Sequence, residues 1–260
     1  MSFRDDALSG QQIVISGGAG AIGVGVVKAL TAHGAKMTVN DVIEPGEAQR
    51  RLSEVGVDLA SIHYVKGDLT RSSDVQHFVE SARAQFGAIH TALCHVGMVV
   101  STPLLEFQED EWDKIRAVNV KSAFLLGQAC ARAMLADGVN GHLIFTTSWV
   151  AETPWPDIGP YNTSKAAMNQ LMRSFARELA DKGIRANGIA PGIVAAGMAK
   201  RQWDTEPDYR ARAQKAIPLG FMQPVESVAD GFLFLCSSAA NYMTGSILLI
   251  DGGCSLYPMD

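Results

Sequence analysis

The sequence predicts an α/β fold: a doubly wound, seven-stranded parallel sheet with helices on both faces, in a single domain over residues 1–260. Three observations predict it. Short apolar runs alternate with longer stretches of helical periodicity almost from end to end, the pattern of a parallel sheet crossed by helices. Several of the runs are apolar at successive positions, as strands covered on both faces should be. No internal repeat and no Pro/Ser-rich linker divides the chain, and its length can fill a core without disulfide or metal staples.

The strands fall at Gln11–Ser16, Lys36–Asn40, Ile62–Val65, Ala92–Val96, Leu143–Thr147, Ile184–Ile189 and Ile247–Ile250. Helical patterns lie between and after them at Ile22–His33, Gly46–Val55, Ser73–Phe86, Glu109–Leu135, Tyr161–Ala180 and Val225–Ser237. The first helix shows its stripe plainly, with Ile22, Val26, Val27 and Leu30 on one face. Ala195–Pro218, rich in Met, Trp and charge, fits neither period and reads as a candidate substrate lid.

Composition narrows the class without naming a function. With 47% hydrophobic and 19% charged residues and a net charge of −5, the chain lacks the basic excess of a nucleic-acid surface. Its 25 glycines have no three-residue period, which excludes collagen and low-complexity readings. No apolar run reaches the roughly 18 residues of a spanning helix, and Met1–Gly10 does not read as a secretory signal. Cys94, Cys130, Cys236 and Cys254 are far apart, so we expect free thiols in the cytoplasm and no metal site. Hydrolase, metalloenzyme and kinase readings find no G-x-S-x-G, H-E-x-x-H or G-K-[ST] motif.

Directly after the first strand, Ser16-Gly17-Gly18-Ala19-Gly20-Ala21-Ile22-Gly23 opens a helix. Such a turn lets bare backbone approach a pyrophosphate while the helix-start N–H groups face its charge. Any tight strand-to-helix junction also uses glycine, but the position at the first junction favours a dinucleotide. Asp41 ends the second strand, 18 residues after Gly23. An acid there accepts from both adenosine ribose hydroxyls and repels a 2′-phosphate, which favours NAD over NADP; the alternative is a turn residue.

Tyr161 and Lys165 stand four residues apart in a helical segment and share one face. Tyrosine, with an ordinary pKa of about 10, becomes a useful base only where positive charge favours the phenolate. A nearby ammonium and a cationic nicotinamide ring are expected to lower it by about 2–3 units. Ser148, at the end of the fifth strand, faces the rim where open parallel sheets bind ligands; its neighbours Thr146 and Thr147 make an ordinary strand-end hydroxyl the alternative. Asn119 lies inside a helix, where a buried amide must mend a kink or hold a water.

Gly17–Gly23, Asp41, Asp68, Asn119, Ser148, Tyr161 with Lys165, Pro191-Gly192 and Asp251-Gly252-Gly253 resemble, in order and spacing, the short-chain dehydrogenase/reductase family over nearly the whole chain. The resemblance implies a Rossmann-type fold and an Asn-Ser-Tyr-Lys tetrad, here Asn119, Ser148, Tyr161 and Lys165. Tyr161 would be the acid/base, Lys165 would bind the nicotinamide ribose, and Asn119 would hold a proton-relay water. It further implies cofactor contacts at Gly17, Ala21, Ile22, Gly23, Asp41, Asp68 (capping the adenine), Leu69, His95, Gly97, Pro191, Gly192 and Val194, and a homotetramer. There are departures. Ala21 replaces the middle glycine, Cys94-His95-Val96-Gly97 replaces Asn-Asn-Ala-Gly, and Ala196 replaces a threonine. His95 is expected to be structural.

The reaction these features imply is the NAD-dependent interconversion of a secondary alcohol and a ketone. Trp149, Trp155, Met198 and Trp203 are the candidate substrate residues. The arrangement of Met198, Trp203 and Ile217–Gly220 resembles sugar and polyol dehydrogenases, with 3-oxoacyl-thioester and hydroxysteroid substrates as alternatives. An NAD-binding regulator with weak catalysis is the alternative class. The lid's basic residues, Arg212 among them, read as a solvated face or as partners of an anionic or hydroxyl-rich substrate.

Overall fold

Seven strands form one parallel sheet in the order β3-β2-β1-β4-β5-β6-β7 in a computed structural model that describes residues 4–256. They are β1 (Gln12–Ser16), β2 (Lys36–Asp41), β3 (Ile62–Lys66), β4 (Thr91–Cys94), β5 (His142–Thr146), β6 (Arg185–Pro191) and β7 (Ile247–Ile250). The helices are α1 (Gly23–Ala32), α2 (Pro45–Glu54), α3 (Ser72–Phe86), α4 (Glu109–Arg116), α5 (Ser122–Ala136), α6 (Gly159–Leu179), α7 (Gly197–Thr205), α8 (Pro207–Ala216) and α9 (Val225–Cys236). The sheet is sandwiched as the apolar runs require. Ile13 and Ile15 of β1 join Val26, Val27 and Leu30 of α1 and Phe232 of α9 on one face. Val14 joins Phe78 of α3, Leu126 of α5 and Met168 of α6 on the other. Full burial of such side chains stabilises the fold by about 1.5–3 kcal/mol each.

Strand order reverses between β1 and β4, both paired parallel to each other. A crevice opens outside the carboxyl ends at such a switch point. The glycine turn leaves β1 there and His95–Gly97 leaves β4 there. β4 stops two residues earlier than the sequence suggests, because the Ser16 hydroxyl accepts the backbone N–H groups of both His95 (2.9 Å) and Val96 (3.1 Å) and bends the chain out of the ladder.

Two further differences bear on the site. The segment read as one helix from Glu109 to Leu135 contains a wide π turn at Ala117–Lys121 between α4 and α5. Residues 195–218, read as irregular, contain α7 and α8. Pro207 starts the second of these from the first helical position, where its missing N–H costs nothing. Tyr209, Ala213 and Ala216 of α8, with Ala199 and Trp203 of α7, pack with Trp149, Trp155 and Ile217 rather than on the sheet, so neither helix shows a standard core stripe.

Candidate active site

The carboxyl ends of the strands enclose a cavity of about 510 Å³ that runs from the glycine turn to α7 and α8. Its first wall is bare backbone. Gly17 has φ +69°, and a Cβ there would lie 3.0 Å from the Val96 Cα. The backbone N–H groups of Ala21 and Ile22 line the cavity region without a protein acceptor among the described residues, as helix-start donors facing an anion should be. Asp41 lines the far rim; one carboxylate oxygen accepts from the Val42 N–H at 2.8 Å and the other has no protein partner among the described residues. On the opposite side, a Cβ at Gly192 would fall 2.6 Å from the Asp251 carbonyl oxygen. This cradle of small residues, orphan donors and one acid fits an adenine dinucleotide.

The next wall carries the reactive side chains. Ser148 follows β5, with its Oγ receiving the Val150 N–H. Tyr161 and Lys165 are one turn apart on α6, with Nζ 5.4 Å from the phenol ring centroid. All three line the cavity. Lys165 is 2% exposed, and its ammonium donates to the Thr146 carbonyl at 2.7 Å. Burial pulls Lys165 down to about 7 and pushes Tyr161 up to about 12, while the Ser148 hydroxyl pulls the phenol partly back. The expected lowering of Tyr161 by its lysine is therefore absent here. Nζ sits over the ring and is engaged by Thr146, so desolvation wins, and a phenolate at this wall needs a further positive charge.

Asn119 does not line the cavity. It is fully buried in the π turn, where its amide binds the loop after β4: Oδ1 accepts from the Met98 N–H at 2.8 Å, while Nδ2 donates to the Met98 carbonyl and the Ser164 hydroxyl. Both amide hydrogens are used, so the side chain has only a second Oδ1 lone pair for the expected relay water. The kink and the amide are thus one feature. The wide turn delivers Asn119 to a loop that would otherwise leave the Met98 peptide unpaired.

Of the expected cofactor residues, Gly17, Ala21, Ile22, Asp41, His95, Gly97, Pro191, Gly192 and Val194 line the cavity. Three do not. Gly23 packs α1 onto the turn, since a Cβ there would be 2.3 Å from the Gly17 carbonyl oxygen. Asp68 is not among the lining residues; its Oδ1 accepts from the N–H and hydroxyl of Thr70, while Oδ2 has, among the described residues, only the Arg71 guanidinium near it, at 3.6 Å. Leu69 is buried in the core beside Val75 and Phe78. His95 is held by structure as well as facing the cavity. Its Nδ1 pairs with the Thr146 hydroxyl at 2.9 Å and its ring stands edge-on to Phe232.

Among the substrate candidates, Trp149, Trp155 and Met198 line the cavity, whereas Trp203 packs behind it against the Trp149–Trp155–Tyr209 cluster. Ile193, expected with Val194 near the carboxamide, and Tyr209 of the lid segment also line the cavity, while sequence reasoning missed Val99, Val150 and Ile158, which complete these walls. Each is one apolar residue in a loop or short helix, with no spacing to mark it.

Comparison with known proteins agrees with this geometry. The family model described as "Enoyl-(Acyl carrier protein) reductase" matches residues 17–255. The chain belongs to the short-chain dehydrogenase/reductase family. It is similar to 3beta-hydroxysteroid dehydrogenase 1 of Eggerthella lenta, 30% identical over 97% of each chain. It is also similar to short-chain dehydrogenase reductase 5 of Arabidopsis thaliana, 33% identical over 96% of each. A short-chain type dehydrogenase/reductase crystal structure from Mycobacterium marinum superimposes with a TM-score of 0.86 at 31% identity, covering 97% of this chain and 98% of that one. As a short-chain dehydrogenase/reductase, the protein is an oxidoreductase acting on CH–OH groups. Among the described residues, no helix is long and apolar enough to cross a membrane and no cluster of metal-ligating side chains occurs.

Proposed function

We propose that this short-chain dehydrogenase/reductase interconverts a secondary alcohol and a ketone with NAD, on a substrate whose carbon frame is apolar. One observation carries the reading: Ser148, Tyr161 and Lys165 share a wall of the cavity that joins the glycine cradle and Asp41 to an aromatic chamber. A nicotinamide bound in that cradle supplies the two-electron acceptor or donor. The chain's own residues do the rest. Gly17 and the Ala21 and Ile22 amides receive the pyrophosphate, and Asp41 takes the ribose hydroxyls, where a 2′-phosphate would meet its charge. Ser148 donates a hydrogen bond to the reacting oxygen. Tyr161 exchanges the hydroxyl proton with it; the positive charge of an oxidised nicotinamide would favour the phenolate that Lys165 alone does not, and Lys165 would hold the nicotinamide ribose. Asn119 positions the loop over this wall.

The substrate half of the reading departs from the sugar or polyol expected from sequence. Trp149, Val150, Trp155, Ile158, Ile193, Met198 and Tyr209 offer a polyhydroxylated molecule few hydrogen bonds, and unpaired hydroxyls would lose their water. The walls support an apolar alcohol of the hydroxysteroid kind, which is also the substrate named for the Eggerthella lenta relative. Movement of α7 and α8 over this chamber is the proposed lid. The test is NADH formation across a panel of apolar and polyol secondary alcohols, with NAD and NADP in parallel. Tyr161→Phe is expected to abolish turnover while NAD binding, followed by fluorescence, stays within about twofold. Retained turnover would overturn the mechanism, and NAD binding without turnover of any alcohol would support the regulator reading.

The homotetramer and the cytoplasmic site remain part of the proposal. Edge strand β7 supports the first. Leu249 on it is 48% exposed, with Tyr242 just before the strand also exposed, and an open apolar strand edge is a surface another copy can cover.

A further inference from the structure

We propose that the α8 end of the cavity receives a carboxylate carried by the substrate's far end, with Arg212 as its cation. The inference rests on the secondary-alcohol reading and deepens it. Lys165 and Arg212 are the two cationic residues lining the cavity, and Lys165 is engaged at the reactive wall. The Arg212 guanidinium lies over the Trp155 ring, 5.3 Å from its centroid. Its nearest acid is Asp157, with Nη1–Oδ2 at 3.6 Å, too long for a hydrogen bond. Asp157 and Arg212 side chains are each 39% exposed, so solvent screens the pair. Nε is shielded from solvent and has no acceptor.

A guanidinium has five donors in a planar fork, and its best partner is a carboxylate bound through two of them. Among the described residues Arg212 uses none in a hydrogen bond to the protein. The Trp155 ring and a fixed neighbour, Asp157, border the side chain. Asp157 has φ +63°, the one non-glycine residue with positive φ among those described, and its carbonyl accepts from Thr102 N–H at 2.7 Å. A strained residue of this kind persists only where its surroundings hold it. Held there, Asp157 lies beside Arg212 without saturating it. Val150, Trp155, Ile158 and Tyr209 line the chamber around it, so the ligand is apolar between its two polar ends. A single planar cation matches a monoanionic carboxylate; a phosphate dianion would lack a second cation.

The test uses rigid secondary alcohols of one to four rings, each prepared as a terminal carboxylate and as its methyl ester. Both kcat/KM with NAD and binding of the corresponding ketones to the NADH-loaded enzyme are measured. For the frame of matching length, the acid is expected to be favoured over the ester by about 10- to 100-fold. Arg212→Gln should bring that ratio to near one, while Asp157→Asn keeps it. Equal acid and ester in the parent enzyme would overturn the inference. So would Arg212→Gln and Asp157→Asn changing both ligands alike, which marks a lid latch instead of a receptor. Turnover of esters with no acid preference overturns this inference and leaves the alcohol reading standing. Arg212-dependent binding of the keto acids without turnover of any alcohol does the reverse, and no binding of any keto acid overturns the receptor.

Discussion

Thr146 shows how few atoms set the chemistry of this site. Its carbonyl takes the Lys165 ammonium and its hydroxyl meets the His95 imidazole, so one residue at the end of β5 ties α6 to the loop after β4. Burial and the nearby Lys165 pull His95 down to about 4, and burial pulls His142 down to about 3. These have a stability consequence. Between those values and the ordinary 6.5, the unfolded chain binds protons that the folded chain refuses, so the histidines' contribution to stability is full above about pH 6.5 and falls as pH drops toward 4. Each histidine contributes about 1–3 kcal/mol to that fall. Urea midpoints measured from pH 7 to 4 should drop less steeply in His95→Asn than in the parent; an identical slope would show that His95 does not titrate in this range.

At the scale of elements, the glycine turn and the α4–α5 junction do the positioning. Gly23 supplies no ligand contact, yet α1 docks on the turn only because position 23 has no side chain. Gly23→Ala is expected to cost about 1–3 kcal/mol in overpacking and to weaken NADH binding by about tenfold, because the Gly17 carbonyl must shift. A lowered Tm with unchanged NADH affinity would separate the packing role from the cradle. The turn, Asp41 and the Tyr-Lys pair were legible in the sequence because each depends on local spacing. The π turn was only half legible. A buried amide inside a helix signalled an irregularity, but its partners Met98 and Ser164 are 21 and 45 residues away. Asp68 lies outside the cavity lining, with one carboxylate oxygen in a local turn with Thr70, a placement no spacing in the sequence shows.

Across the whole molecule, one parallel sheet brings residues from the turn after β1 to α8 around one cavity, and its last strand leaves an open edge. If β7 is covered by another copy, Leu249→Lys should shift the mass measured by light scattering from tetramer toward dimer or monomer. Unchanged mass would place the contact elsewhere, and a monomeric parent would remove the tetramer reading. The acidic balance of the chain has no visible role in this arrangement except at Asp41, where one charge faces the cofactor crevice.

The sequence by itself determined the alternation of strands and helices and the sheet they form, and it singled out the glycine turn and the Ser148, Tyr161 and Lys165 set that folding brings to one cavity. All of these are carried by periodicity or by residues near one another in the chain. Tertiary structure alone decided the character of the substrate chamber. Its walls come from the loop after β4, the segment before α6, the end of β6, and α7 and α8, and a single apolar residue from each has no pattern until folding brings them together. The same holds for Arg212. In sequence it belongs to a run of basic residues, and only its placement over Trp155, beside a left-handed Asp157, separates it from a solvated helix face.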